Sequence, residues 1–147
     1  MNILIIEDDN AQRILLQMAL SKQGHNVKST NAVLPAFEII RRGQLDLVLM
    51  DIGLPGLDGI SFVKKLRKYP EFADIPFIAV TGRTDLYCRD HALAAGCVAY
   101  VEKPIDVAAL LKLLSRFAPM EEPVKKINHR TNKLKSKVIL PEVITSL

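Results

Sequence analysis

The sequence has no tryptophan, and phenylalanine and tyrosine make up only 5% of its 147 residues. Any core must therefore be filled mainly by aliphatic side chains. Cysteine is nearly as scarce. Cys88 and Cys97 are nine apart, with no CxxC pair, which argues against a zinc site. They read as two small buried thiols. The three histidines, His25, His91 and His129, are scattered and form no catalytic constellation. No apolar run approaches the ~18 residues of a membrane span. The N-terminus, MNILIIEDD, lacks a basic region and meets acid after four apolar residues, so it is not a secretory signal. A soluble cytoplasmic protein is the expectation.

Excess charge is also missing from most of the chain. The net charge is +4, but residues 121–147 hold six Lys and Arg against three Glu, a net +3, leaving +1 for residues 1–120. A nearly neutral body argues against a broad nucleic-acid surface there. What is present is enough apolar material for one domain: 49% hydrophobic and 24% charged.

Five short apolar runs stand out: Ile3–Ile6, Val27–Thr30, Leu45–Met50, Phe77–Val80 and Val98–Val101. Four are near-continuous, as strands covered on both faces are. Helical patterns separate them. Residues 11–22 place Ala11, Ile14, Leu15, Met18 and Ala19 on one stripe before Gly24. Residues 33–41 place Ala36, Phe37 and Ile40 together, and residues 59–68 do so with Ile60, Val63 and Leu66, with Lys64, Lys65, Arg67 and Lys68 outward. Residues 85–95 start at an Asp85 cap. Residues 106–117 start at Asp106 and repeat Val107, Leu110, Leu111, Leu114 and Phe117. The order is βα five times. This predicts an α/β fold, a doubly wound five-stranded parallel sheet with right-handed crossovers. By analogy with flavodoxin-like (βα)5 proteins the strand order is 2-1-3-4-5, with a crevice at the carboxyl ends of strands 1 and 3.

Each strand but the second delivers a polar residue to that crevice: Glu7 and Asp8 after strand 1, Asp51 after strand 3, Thr81 after strand 4 and Lys103 beyond strand 5. Carboxylates sharing a pocket repel and raise one another's pKa. A hard cation such as Mg²⁺ relieves this through oxygen ligation. A metal, a carboxylate, a hydroxyl and a lysine are what a transferring phosphoryl group requires, and Asp51 is the nucleophile candidate.

Four stretches, LIIEDD (Leu4–Asp9), LVLMDIGLPGLDG (Leu47–Gly59), FIAVTG (Phe77–Gly82) and YVEKP (Tyr100–Pro104), each sit at a strand end. Over residues 1–118 the chain resembles the receiver domain of two-component response regulators. The resemblance implies that Asp51 accepts a phosphoryl group from a histidine kinase or phosphotransfer protein. It implies that Glu7, Asp8 and Asp51 hold Mg²⁺ with the backbone carbonyl of Gly53. Thr81 would bond the phosphoryl group and move on activation, Tyr100 would follow as a rotamer switch, and Lys103 would pair with a phosphoryl oxygen. Lys103–Pro104 is often cis in that family. Asp9 would start helix 1 and Asp58 would cap helix 3.

Two positions depart from the family's habit. Gly53, two after Asp51, and Gly82, after Thr81, stand where side chains are usual. Gly53 also argues against an aspartyl-phosphate phosphatase of the haloacid-dehalogenase type, which needs a second aspartate there. The chain is thus expected to be a switch rather than an enzyme, handing its state to a separate, unnamed partner. Alternatives are a non-phosphorylated scaffold and a regulator that binds nucleic acid through its tail. The tail, residues 119–147, opens with a proline-containing linker. It continues through a basic run, Lys125–Lys137, and closes on apolar VILPEVITSL. It reads as a solvated arm, a phosphate-binding arm or a docking or dimerising segment. A homodimer through helix 4, strand 5 and helix 5 is a further reading, on the charges of Arg89, Asp90, Lys112 and Arg116.

Overall fold

A computed structural model describes residues 1–56, 58–82 and 86–119, and the tail from residue 120 lies outside the described residues. Five strands form one parallel sheet: β1 (Asn2–Ile6), β2 (Asn26–Thr30), β3 (Leu47–Asp51), β4 (Phe77–Thr81) and β5 (Ala99–Glu102). Their order is β2-β1-β3-β4-β5, as the analogy with flavodoxin-like proteins implies. The crossovers run through α1 (Asn10–Lys22), α2 (Val33–Arg41), α3 (Gly59–Arg67) and α4 (Leu86–Ala95), and α5 (Val107–Leu114) closes the fold.

The apolar runs explain the layering. Every residue of β3 and β4 is buried, whereas the edge strand β2 alternates between exposed and half-buried positions. Successive side chains of a strand point to opposite faces. Leu4, Ile6, Val48, Met50, Phe77 and Ala79 therefore share one core with α2, α3 and α4. Ile3, Ile5, Leu47, Leu49 and Ile78 share the other with α1 and α5. Burial of a Leu or Ile side chain is worth about 1.5–3 kcal/mol, so these two aliphatic layers supply the main stabilisation.

Caps form where expected. Asp9 accepts from Gln12 N–H at 2.9 Å, Asp58 from Ile60 N–H at 3.0 Å and Asp106 from Ala109 N–H at 3.1 Å. Asp85 falls outside the described residues. Cys88 and Cys97 are buried free thiols, and burial pushes the Cys97 thiol up to about 11.

Four local expectations need correction. The largest concerns α1, where Ile14, Leu15 and Met18 are exposed and the helix packs through Leu16 and Leu20 against Leu110 and Leu114. This helix carries more apolar residues than one face can bury, and the sheet selects the pair 16/20. β3 begins at Leu47 rather than Leu45, and β5 at Ala99 rather than Val98, which is exposed. α5 ends at Leu114 and tightens into a 3₁₀ turn over Ser115–Phe117.

One side chain expected to point outward instead ties three segments together. The Arg67 guanidinium, at the end of α3, donates to the carbonyls of Phe72, Ala73 and Gly96, each at 2.9 Å. It also lies 5.2 Å above the centre of the Phe77 ring. Gly96 has φ +110°, and a Cβ there would meet Arg67 Nε at 2.9 Å.

Candidate functional site

Parallel register sets the site. Ile6 is level with Met50, so the residues that follow, Glu7 and Asp51, emerge side by side. Asp51 is level with Val80, which puts Thr81 one step beyond it, and Thr81 is level with Glu102. Lys103 follows Glu102, and its N–H donates to the Thr81 carbonyl at 2.8 Å. The strand ends therefore deliver acids, a hydroxyl and an ammonium to one corner. The predicted cis bond at Lys103–Pro104 is present.

Lys103 Nζ is the hub. It lies 2.7 Å from Asp51 Oδ2 and 2.9 Å from Glu7 Oε2. Glu7, Asp51 and Thr81 are buried and Asp8 is exposed. Ligand oxygens of Glu7, Asp8 and Asp51 all fall within 4.8 Å of one another. One ammonium thus answers three carboxylates. Burial works against the charge on Lys103, but the hydrogen bonds to Asp51 and Glu7 outweigh it and hold its pKa above the ordinary lysine value. Glu7 is pushed above the ordinary carboxylate range, first by burial and also by the neighbouring Asp51 charge. Its bonds to Lys103 and the Asp9 N–H pull the other way without cancelling the rise.

The charge imbalance and the all-oxygen donor set fit a hard divalent cation. They do not suit zinc, which favours nitrogen and sulfur.

Backbone amides complete the arrangement, and side-chain patterns gave no sign of them. The Gly53 N–H donates to Asp51 Oδ1 at 2.7 Å, and the Asp9 N–H donates to Glu7 Oε1 at 3.0 Å. Arg13 Nη1 donates to the Glu7 carbonyl at 3.0 Å. The two amide bonds fix carboxylates that would otherwise rotate, and the Arg13 bond holds the backbone at Glu7. A Cβ at Gly53 would stand 3.3 Å from Asp51 Oδ1, a tight fit, whereas one at Gly82 would meet only Lys103 Cδ at 4.0 Å. Tyr100 is half-buried and packs against the α2–α3–α4 core.

Residues 3–115 match the response regulator receiver domain. The chain belongs to that family. As a receiver domain of two-component systems, it has relatives in which the same domain is joined to different companions. It is 31% identical over 113 residues to the probable transcriptional regulator ycf29 of Cyanophora paradoxa, a match covering 77% of this chain and 54% of that protein. It is 28% identical over 141 residues to the cyclic di-GMP phosphodiesterase response regulator RpfG of Xanthomonas campestris pv. campestris (strain 8004), covering 95% of this chain and 37% of that protein. The chain thus spans only about half or less of these curated relatives.

Among solved structures, it is similar to the receiver domain of sensor histidine kinase PA1611 from Pseudomonas aeruginosa PAO1. The TM-score is 0.72 at 30% identity, over 79% of this chain and 95% of that one. That receiver has a magnesium ion coordinated in its active site cleft. The acidic cluster of Glu7, Asp8 and Asp51 in this receiver is consistent with Mg²⁺ binding. Among the described residues, no helix is long and apolar enough to cross a membrane.

Proposed function

We propose that this receiver is a phosphorylation-activated switch in which Asp51 accepts the phosphoryl group. The observation that carries the reading is the Lys103 bridge between Asp51 and Glu7. It holds a buried carboxylate beside an ammonium at the mouth of the sheet, where a phosphoryl oxygen can replace a carboxylate as the ammonium's partner. An Asp51 carboxylate oxygen attacks phosphorus. The new O–P bond forms as the donor's P–N or P–O bond breaks, and the leaving group, imidazole or acetate, departs with that electron pair. Glu7, Asp8, Asp51 and the Gly53 carbonyl would hold Mg²⁺, which supplies charge neutralisation on the phosphoryl oxygens. Lys103 pairs with one such oxygen and the Thr81 hydroxyl donates to another. Tyr100 and the α4–β5–α5 face then follow Thr81, biasing a two-state domain.

The phosphodonor is a histidine kinase or histidine phosphotransfer protein. The exposed apolar face of α1, with Ile14, Leu15 and Met18, supports this. So does the adjoining ≈ 380 Å³ cavity, which Leu15, Leu16, Pro104 and Ile105 line beside Lys103. A donor helix docked there brings its phosphohistidine to Asp51. The receiver spans residues 1–118 and acts as an acceptor rather than a turnover enzyme. Its output passes to a separate protein, or to a second copy through α4, β5 and α5 or the tail. Free buried thiols suit the reducing cytoplasm.

Incubation with acetyl phosphate and Mg²⁺, followed by intact mass, tests this. Wild type gains one phosphoryl mass in a hydroxylamine-labile adduct, and Asp51→Asn gains none. Absence of an adduct with acetyl phosphate, phosphoramidate and a phosphohistidine donor alike would leave the non-phosphorylated scaffold instead.

A further inference from the structure

On the sheet face opposite α1, an apolar groove of ≈ 500 Å³ runs between α2 and α3 below the loop that follows β3. Phe37, Leu54 and Phe62 form its buried floor. Leu34 stands at its rim, 69% exposed, the most exposed large apolar side chain among the described residues. The α3 wall is Ser61 and Lys65, and among the described residues no acidic side chain lines the groove.

The surrounding charge is one-sided. Residues 33–42 and 59–68 carry Arg41, Arg42, Lys64, Lys65, Arg67 and Lys68 against one acid, Glu38, in a body whose net charge is only +1. Arg41 is paired with Glu38, and Arg67 is turned inward onto carbonyls. Lys64, Lys65 and Lys68 remain exposed. With Ser61 they share one helical face at spacings of three and four. The nearest acid on α3, Asp58, is occupied by the Ile60 N–H and the Ser61 hydroxyl. A helix C-terminus favours cations in its last turn, and that turn holds Lys64, Lys65 and Arg67, with Lys68 at the cap. The preference does not require Lys65 to stand in the wall of an apolar trough.

Charge decides between occupants. The chain's own tail carries +3 over residues 121–147, and if its apolar end entered the groove the adjoining basic run, Lys125–Lys137, would be brought up to the lysines of α3. A second copy presenting the same surface sets lysine against lysine, which costs binding energy. An occupant with apolar anchors and carboxylates satisfies both features, and an amphipathic helix does so with residues at i, i+3/i+4 and i+7.

We propose that the α2–α3 groove docks an acidic amphipathic helix of a partner protein, with its apolar face over Phe37, Leu54 and Phe62 and its carboxylates on Lys64, Lys65 and Lys68. None of Glu7, Asp8, Asp51, Thr81 and Lys103 lines the groove, so docking occurs without a phosphodonor or Mg²⁺.

The probe is a fluorescein-labelled helical peptide of about 18 residues, long enough for five turns. It has Leu and Phe on one face and Glu on both flanks, and a Lys-for-Glu version serves as control. It is titrated into the ¹⁵N-labelled full chain. Amide shifts confined to residues 31–37, 54–56 and 61–68 are expected. Affinity falls at least about tenfold in Lys64→Glu/Lys65→Glu, in Leu34→Asp and with the control peptide, and it weakens as salt rises. Shifts centred on α1 or on α4–β5–α5, equal binding of the basic peptide, or no shift at millimolar peptide would overturn the proposal. Groove amides that move in Leu140→Asp without peptide would assign the groove to the tail, also overturning it. A concentration-dependent dimer abolished by Leu34→Asp would assign it to a second copy and overturn it equally.

Discussion

Replacing Lys103 with methionine removes the one ammonium that the described residues bring to a corner holding three carboxylates, while keeping the length and apolar stem of the side chain. The consequence for stability can be worked from the two ion pairs, 2.7 Å to Asp51 and 2.9 Å to Glu7. Removing one partner of a buried pair costs about 3–5 kcal/mol, because the charge left behind is uncompensated. Lys103 itself is 22% exposed and so reaches some water, which puts the expected loss near the lower end, about 3 kcal/mol. With a urea m-value of about 1–3 kcal/mol/M, the unfolding midpoint falls by about 1–3 M in metal-free buffer. Mg²⁺ then has no resident cation to compete with. At 100 times its dissociation constant a ligand adds about 2.7 kcal/mol, and Mg²⁺ at a fixed millimolar concentration should stabilise Lys103→Met by more than it stabilises wild type. A second change, Asp51→Asn, withdraws one orphaned carboxylate and returns at least about 1 kcal/mol to the methionine variant, a non-additive result for groups in contact. Urea denaturation with and without Mg²⁺ reads all three quantities. If Lys103→Met is as stable as wild type without metal, or if Mg²⁺ stabilises it less, the account of this corner as an under-neutralised charge cluster is wrong.

Two further predictions concern the body of the domain. At Gly59 a Cβ would stand 2.8 Å from Ile52 Cα and 3.2 Å from Met50 Cε. Backbone cannot yield as a side-chain tip can, so Gly59→Ala loses about 1–2 kcal/mol to overpacking despite alanine's better helix propensity. Equal or higher stability in urea would contradict this. Cys97, held at about 11 against an ordinary 9.0, stays protonated in the fold at pH values where the unfolded thiol ionises. The stability this gives is fully present below pH 9 and is lost as pH rises toward 11. Between pH 8.5 and 10.5 wild type should lose about 2 kcal/mol relative to Cys97→Ala, and parallel urea curves at both pH values check it.

The sheet was legible because its signals are local and redundant. β3 and β4 are continuous apolar runs, and only a strand covered on both faces buries such a run completely. Glu7, Asp51, Thr81 and Lys103 were legible as candidates for the same reason, since each stands where an apolar run ends, and register then brings them together. Helix α1 was misread because period alone cannot choose between two apolar faces. Ile14, Leu15 and Met18 outnumber Leu16 and Leu20, and the choice is made by the sheet together with α5, some ninety residues away in sequence. The amides of Gly53 and Asp9 left no trace in the side-chain pattern because every residue but proline has an N–H. The role of Arg67 was hidden among the lysines of α3, where one more basic residue looked like one more solvated charge.

Arg67 also limits how the domain can move. Its three bonds fasten the last turn of α3 to the turn after it and to Gly96, which immediately follows α4. α4 is thereby hinged at its lower end, while its first residue, Leu86, lies toward the carboxylate corner. Sliding α4 along α3 would break the guanidinium bonds, but tilting it would not. A ten-residue helix is about 15 Å long, so a tilt of about 4° about that hinge carries the far end about 1 Å. The fold thus has a lever with its fulcrum at Arg67 and its free arm beside Thr81. A rotation of α4 about that base would leave the Arg67 bonds in place, so any movement of this helix pivots on one side chain.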